Sequence, residues 1–220
     1  MNVIDLLKNE IPPVHLSDLI STALNFLDYH KSRQIPVVGS EGFLGLIDED
    51  ALLDAKETDI LDNFKEQLVP MSIPANQNLF NALKYFSTGR LSILPVIDGK
   101  NQYLGCIHGQ DLLVKYCDWL KVGESGGIIH LEVLNIDYSL SQISQIVETN
   151  GAKILTCLSF PHNNNSKMLE IYIKINIAEL SGIIQTFERY GYNILASFQK
   201  KKLSVGLNDR FDSFIRYLNI

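Results

Sequence analysis

The sequence predicts a mixed α/β (α+β) fold made of a duplicated unit with two-fold pseudo-symmetry, followed by a segment of different texture. The duplication is explicit. Ala23-Leu24 and Pro36-Val37 recur as Ala82-Leu83 and Pro95-Val96, each 59 positions on. Leu44-Gly45, Ile47 and Leu52-Leu53 recur as Leu104-Gly105, Ile107 and Leu112-Leu113, 60 positions on. Self-similarity at a fixed period points to two copies of one supersecondary unit. The second observation lies beyond residue 120, where a glycine-rich stretch precedes a pattern of strand, helix, strand, strand, helix, strand.

Each copy opens with an amphipathic helix, because Leu19, Ile20, Ala23, Leu24 and Leu27, and again Leu79, Phe80, Leu83 and Phe86, fall at spacings of three and four. Short β-rich runs follow at Ile35-Pro36-Val37-Val38 and Ile93-Leu94-Pro95-Val96-Ile97. The proline in each predicts an edge strand or a strand beginning, since it cannot donate to a ladder. Turns at Gly39 to Gly42 and Asp98 to Asn101 lead into second strands, Phe43 to Ile47 and Tyr103 to Ile107. Short helices at Asp50 to Leu53 and Gln110 to Tyr116 close the units.

Lys121 to Gly127 is polar and glycine-rich, as a linker is. Ile128 to Val133 alternates as a strand. Leu140, Ile143, Ile146 and Val147 form a helix stripe that ends at the C-cap signal Asn150-Gly151. Strands at Ala152 to Phe160 and Met168 to Ile175, a helix at Ala178 to Tyr190 and a strand at Asn193 to Phe198 complete the ferredoxin-like βαββαβ order. Asn208 to Ile220 reads as a helix with Phe211, Phe214, Ile215 and Leu218 on one face.

The hydrophobic-Pro-Val step and the ending Gly105-Cys106-Ile107-His108-Gly109-Gln110-Asp111-Leu112, present twice in register, resemble a tandem pair of cystathionine β-synthase (CBS) domains. The later segment resembles an ACT domain, a small-molecule regulatory module, through Asn135-Ile136-Asp137-Tyr138-Ser139-Leu140 and Asn150-Gly151-Ala152-Lys153-Ile154. Together they resemble the acetoin-utilisation type of CBS-ACT regulatory protein. The implied boundaries are a first CBS repeat at 1–65, a second at 66–120, a linker at 121–126, an ACT-like domain at 127–206 and a helical tail at 207–220.

The CBS resemblance implies a cleft that binds AMP, ADP, ATP or S-adenosylmethionine as a regulatory ligand. In the family a carboxylate takes the ribose diol, a Ser or Thr three residues earlier donates to phosphate, and the strand around the proline walls the adenine. A carboxylate has the lone pairs a diol needs, and a hydroxyl suits a phosphate oxygen. Asp111 falls on the ribose position of the second repeat, and Leu94, Pro95 and Val96 on its adenine wall. Asp111 reads equally as a helix-start residue. His108 replaces the Ser or Thr, and an imidazole can donate to phosphate.

In the first repeat Ala51 takes the ribose position and Asp48 the phosphate position, with Ile35 and Pro36 on the wall and Asp50 as a substitute for the ribose carboxylate. A phosphate beside Asp48 meets a like charge, costing roughly 1 kcal/mol in water at about 4 Å and about 4 kcal/mol at an effective dielectric near 20. Occupancy should therefore favour the second site. In the ACT-like segment the effector loop maps to Asp137, Tyr138 and Ser139. Tyr138 and Ser139 stand where amino-acid-binding members carry proline and glycine, and Asp137 or Ser139 can cap the helix.

Composition narrows the function classes. The chain has 220 residues, 46% of them hydrophobic, and a net charge of −6, which offers no general attraction to nucleic acid or anionic membrane. The Lys200-Lys201-Lys202 run reads as a solvated strand end. No leader pattern or apolar run of about 18 residues occurs, so a soluble cytoplasmic protein is expected. Cys106, Cys117 and Cys157 lack paired spacing and read as reduced thiols. His15, His30, His108, His130 and His162 lack metal-ligand spacing, so no metal is expected. Asp48, Glu49 and Asp50 read as acids complementing a helix dipole.

No phosphate-binding loop, dinucleotide fingerprint, zinc-protease motif or nucleophile elbow occurs, so no enzyme and no catalytic residue is expected. Two readings follow from the resemblances. One is a non-catalytic homodimeric sensor that binds an adenosyl ligand in the CBS cleft and relays occupancy to a partner protein through the ACT-like domain. The other is a ligand-free dimeric scaffold whose degenerate modules bind a partner protein.

Overall fold

The apolar spacing in the two repeats produces helices of equal length, α1 (Ile20–His30) and α2 (Leu79–Gly89). The structure, a computed structural model, describes residues 2–8, 10–89 and 91–199. The chain divides after Tyr116 into two compact units. The Lys200-Lys201-Lys202 run and the expected tail helix lie outside the described residues.

In the first unit each repeat builds a three-stranded sheet. β1 (Val14–His15), β2 (Gln34–Gly39) and β3 (Gly42–Asp48) lie in that order, and so do β4 (Ile73–Pro74), β5 (Ile93–Ile97) and β6 (Tyr103–His108). The first strand of each set is only two residues long and pairs in parallel, Val14 with Val37 and Ile73 with Val96. The proline-bearing strands are therefore central, with each proline at the third position, against the edge strand or strand beginning expected from sequence. The short strand reaches Val37 and Val38 but not Pro36, so the missing N–H meets no ladder partner on that side.

The repeats end differently. The first closes with a 3-10 turn, Glu49–Leu52, and the second with α3 (Gly109–Trp119). Their cores correspond residue by residue. Val14, Ile20, Ala23, Ile35, Val37, Ile47 and Leu52 are buried, as are Ile73, Leu79, Ala82, Leu94, Val96, Ile107 and Leu112. Burying one such Ile, Leu or Val side chain is worth about 1.5–3 kcal/mol.

The repeats exchange backbone hydrogen bonds. Lys8, in the leading segment of the first repeat, bridges Cys106 of β6 through both its N–H and its C=O, at 3.0 Å each, and Val69 in the leading segment of the second bridges Leu46 of β3 in the same way, at 2.9 Å each. The tips of the two hairpins also meet. Phe43 N–H donates to Asn101 O at 2.8 Å, and Asn101 Nδ2 donates back to Phe43 O at 2.9 Å.

In the second unit β7 (Gly127–Leu134), β8 (Ile154–Pro161), β9 (Met168–Ile175) and β10 (Asn193–Phe198) form one antiparallel sheet in the order β10-β7-β9-β8. α4 (Leu140–Thr149) and α5 (Ser181–Arg189) pack on one face, with Ile143, Ile146, Val147, Ile183 and Phe187 against Ile129, Leu131, Ile171 and Ile173. This is the ferredoxin-like topology that the element order predicts.

Two substitutions test these cores. Phe187 is fully buried and meets Tyr192 edge-to-face, with ring centroids 5.3 Å apart. Phe187→Ala should lower the stability of the second unit by about 3–5 kcal/mol in urea unfolding. Gly42 has φ +115° and a Cβ there would lie 2.3 Å from Asn101 O. Gly42→Ala should destabilise the first unit by about 1–3 kcal/mol, read the same way.

Candidate ligand site in the repeats

At the end of β6 the chain turns directly into α3, and this junction carries His108 and Asp111, while β5 beside β6 carries Leu94, Pro95 and Val96. Gly109 N–H donates to Ser92 O at 3.0 Å, and a Cβ on Gly109 would press on the Phe86 ring at 3.0 Å, so the junction is built for glycine. His108 ends β6 opposite Ile93. Asp111 stands in the first turn of α3, where a carboxylate complements the helix dipole. Leu94, Pro95 and Val96 are buried in β5.

Asp111 has a partner that no spacing argument revealed. Lys8 Nζ lies 2.9 Å from Asp111 Oδ2, and the two side chains are 41% and 31% exposed. The hydrogen bond to Asp111 raises the Lys8 pKa against an opposing desolvation effect, and the charges of Asp111 and Glu10 add to the rise. The reach depends on the Lys8–Cys106 bridge, which fixes the lysine backbone beside β6. Three residues before Asp111, His108 Nε2 is buried and has no hydrogen-bond partner among the described residues. The other histidines have company: His15 beside Asp18, His30 stacked on Phe26, His130 on Glu170 and His162 on Glu132.

The matching place in the first repeat is filled differently. Gln34 pairs with Asp48 where Ile93 pairs with His108. Gln34 Nε2 donates to Asp48 Oδ2 at 3.0 Å, and its Oε1 accepts from Ser92 N–H at 2.9 Å. Gln34 is 6% exposed and so ties the two repeats together from inside. Asp48 also caps the turn through Asp50 N–H. The Asp50 carboxylate faces Arg33 at 3.3 Å in solvent, Ala51 packs on the core, and Ile35 and Pro36 are buried.

In the second unit Ser139 caps α4 by accepting from Gln142 N–H, Tyr138 packs on the core and Asp137 is exposed. A groove of about 520 Å³ opens on the sheet face opposite the helices, lined by Val122, Ile128, Leu158, Phe160, Tyr172 and Lys174 among others. Sequence reasoning had no signal for it, because it combines three strands and the segment before β7. Among the described residues no group of three or more His, Cys, Asp or Glu could hold a metal, and no helix is long and apolar enough to cross a membrane.

A family model for the CBS domain matches residues 3–58 and 67–117. The amino-terminal half is a tandem pair of CBS domains. Among solved structures, a CBS domain pair/ACT domain protein from Thermotoga maritima is similar at 21% identity and TM-score 0.50, over 54% of this chain and 98% of that one, a likeness of fold. A putative acetoin utilization protein (AcuB) from Vibrio cholerae aligns at 18% identity and TM-score 0.47, over 56% and 95% of the two chains. CBSX2 in complex with AMP aligns at 18% identity and TM-score 0.43, over 53% and 96%.

Within the CBS pair, the wall between the repeats includes Ile11, Leu46, Ile93 and Cys106. Burial pushes the Cys106 thiol up to about 11, outweighing the hydrogen bond with Tyr103. The folded state therefore holds the thiol proton more tightly than the unfolded chain does. The stability from this group is complete below the ordinary thiol value of 9.0 and is lost as pH rises towards about 11. Urea midpoints should show the wild-type protein losing more stability than Cys106→Ala between about pH 8 and about pH 11.

Proposed function

We propose that the CBS pair binds an adenosyl ligand at the second repeat and that the chain is a non-catalytic regulator. The observation that carries this reading is the pairing of a carboxylate with a buried imidazole nitrogen at one junction. Asp111 offers lone pairs to a ribose diol, and three residues earlier the buried His108 Nε2 has no hydrogen-bond partner among the described residues and, as an N–H, can donate to a ligand oxygen. A buried polar group left unpaired costs about 1–3 kcal/mol, and a ligand oxygen that accepts from it recovers that energy. Leu94, Pro95 and Val96 supply the adenine wall once the cleft opens around them.

The first repeat supports asymmetric occupancy. Asp48 is committed to Gln34 and to its own turn, and it repels phosphate. Asp50 would have to leave Arg33 to take a ribose, although an exposed pair of this kind is worth only about 0–1 kcal/mol. The ferredoxin-like unit is read as an ACT-like relay, with Asp137, Tyr138 and Ser139 at its effector loop, and the whole chain as a homodimer in the cytoplasm that signals to a partner protein.

A scaffold role is favoured by one specific feature. The open sheet face exposes Phe160 and Phe198 at 45% and 58%, alongside Leu158, which suits a protein surface better than water.

A thermal-shift panel with AMP, ADP, ATP and S-adenosylmethionine separates the two. Binding at a ligand concentration near 100 Kd should raise stability by about 2.7 kcal/mol, and Asp111→Ala should abolish the shift. A folded dimer that is silent to every adenosyl compound selects the scaffold.

A further inference from the structure

Resting on the proposed adenosyl site, we infer that Lys8 is an exchangeable counter-ion that makes this site select adenosyl ligands carrying a 5′-phosphate over those carrying a sulfonium. Lys8 Nζ sits 2.9 Å from Asp111 Oδ2, on the carboxylate that the ribose diol must engage. A diol and an ammonium compete for the same lone pairs, so ligand entry displaces the lysine. The Lys8 backbone cannot leave, because its N–H and C=O are both bonded to Cys106 at 3.0 Å. The displaced ammonium therefore stays at the site on a flexible four-carbon stem.

What it meets there depends on the ligand. A 5′-phosphate accepts the ammonium in a charge-assisted hydrogen bond and also accepts from His108 Nε2, which has no other partner among the described residues. S-adenosylmethionine places a cation at the corresponding carbon, and Lys8 repels it. The acids facing Lys8 are Asp111 and Glu10. Asp111 is taken by the ribose, which leaves Glu10 as the one other named counter-charge. Adenosine gives the lysine nothing in exchange for Asp111, so the lysine acts only as a competitor.

This predicts opposite signs for two ligands in one variant. Isothermal titration of the full chain with AMP, adenosine and S-adenosylmethionine is run on wild type, Lys8→Met, Lys8→Arg and Asp111→Ala. Lys8→Met keeps the backbone bridge, and its melting curve checks the fold. Its AMP affinity should fall roughly tenfold or more while its adenosine affinity rises, and its discrimination against S-adenosylmethionine should shrink. Lys8→Arg should retain the AMP preference.

The outcomes separate the two claims. If AMP does not bind wild type, or binds Asp111→Ala unchanged, the adenosyl reading fails and the inference with it. If AMP binding depends on Asp111 but Lys8→Met leaves the ratio of AMP to adenosine affinity unchanged, the role of Lys8 alone is overturned.

Discussion

The first unit depends on a reciprocal exchange of backbone between its two repeats. The leading segment of each repeat adds to the sheet of the other, Lys8 against Cys106 and Val69 against Leu46, through four hydrogen bonds of 2.9–3.0 Å. The approach is close enough that a Cβ on Gly45 would stand 3.0 Å from Val69 O and from Leu68 Cβ, which explains the glycine in that strand. Neither three-stranded sheet is complete without the other repeat, because each lends a segment to its partner. The same exchange carries Lys8 to Asp111, so the constraint that holds the fold also sets the charge at the candidate site.

Two-fold pseudo-symmetry of backbone does not extend to chemistry. Ser32 and Ser92 place their hydroxyls 3.2 Å apart across the two repeats, although the 59-residue offset makes Arg33, not Ser32, the equivalent of Ser92. At the next position the same offset sets Gln34 where the second repeat has Ile93, so a carboxamide with both ends occupied replaces an isoleucine beside an imidazole. One repeat thus spends its polar groups on binding the other. The second keeps a buried imidazole nitrogen, His108 Nε2, without a hydrogen-bond partner among the described residues, a condition rare enough in folded proteins to call for a ligand, an ion or a water.

The second unit shows the opposite economy. All of its helix packing is on one sheet face, where Ile129, Leu131, Ile171, Ile173 and Phe187 exclude water. The other face mixes an apolar groove with the His130–Glu170 pair at 2.9 Å, His130 itself lying over Tyr172 with ring centroids 3.9 Å apart. A sheet face of this composition tolerates water and also offers apolar surface.

Much of this was legible in the chain before any coordinates. Period-2 and period-3.6 patterns are local, so the repeats, the βαββαβ order, the Asn150-Gly151 helix end and the Ser139 cap could all be read from neighbours a few residues apart. The placement of Asp111 three residues after His108 was equally local. The central position of the proline strands was not, because two-residue strands at Val14 and Ile73 carry too little periodicity to be seen. Gln34 and Lys8 were invisible for a related reason. Their roles rest on partners 58 and 103 positions away, Ser92 and Asp111, and only closure of the two-fold unit brings them within hydrogen-bonding range. The sequence by itself determined which elements form and which residues could do chemistry. Tertiary structure alone decided which of those residues are already engaged, because hydrogen bonds and ion pairs act over about 3 Å and take no account of separation along the chain.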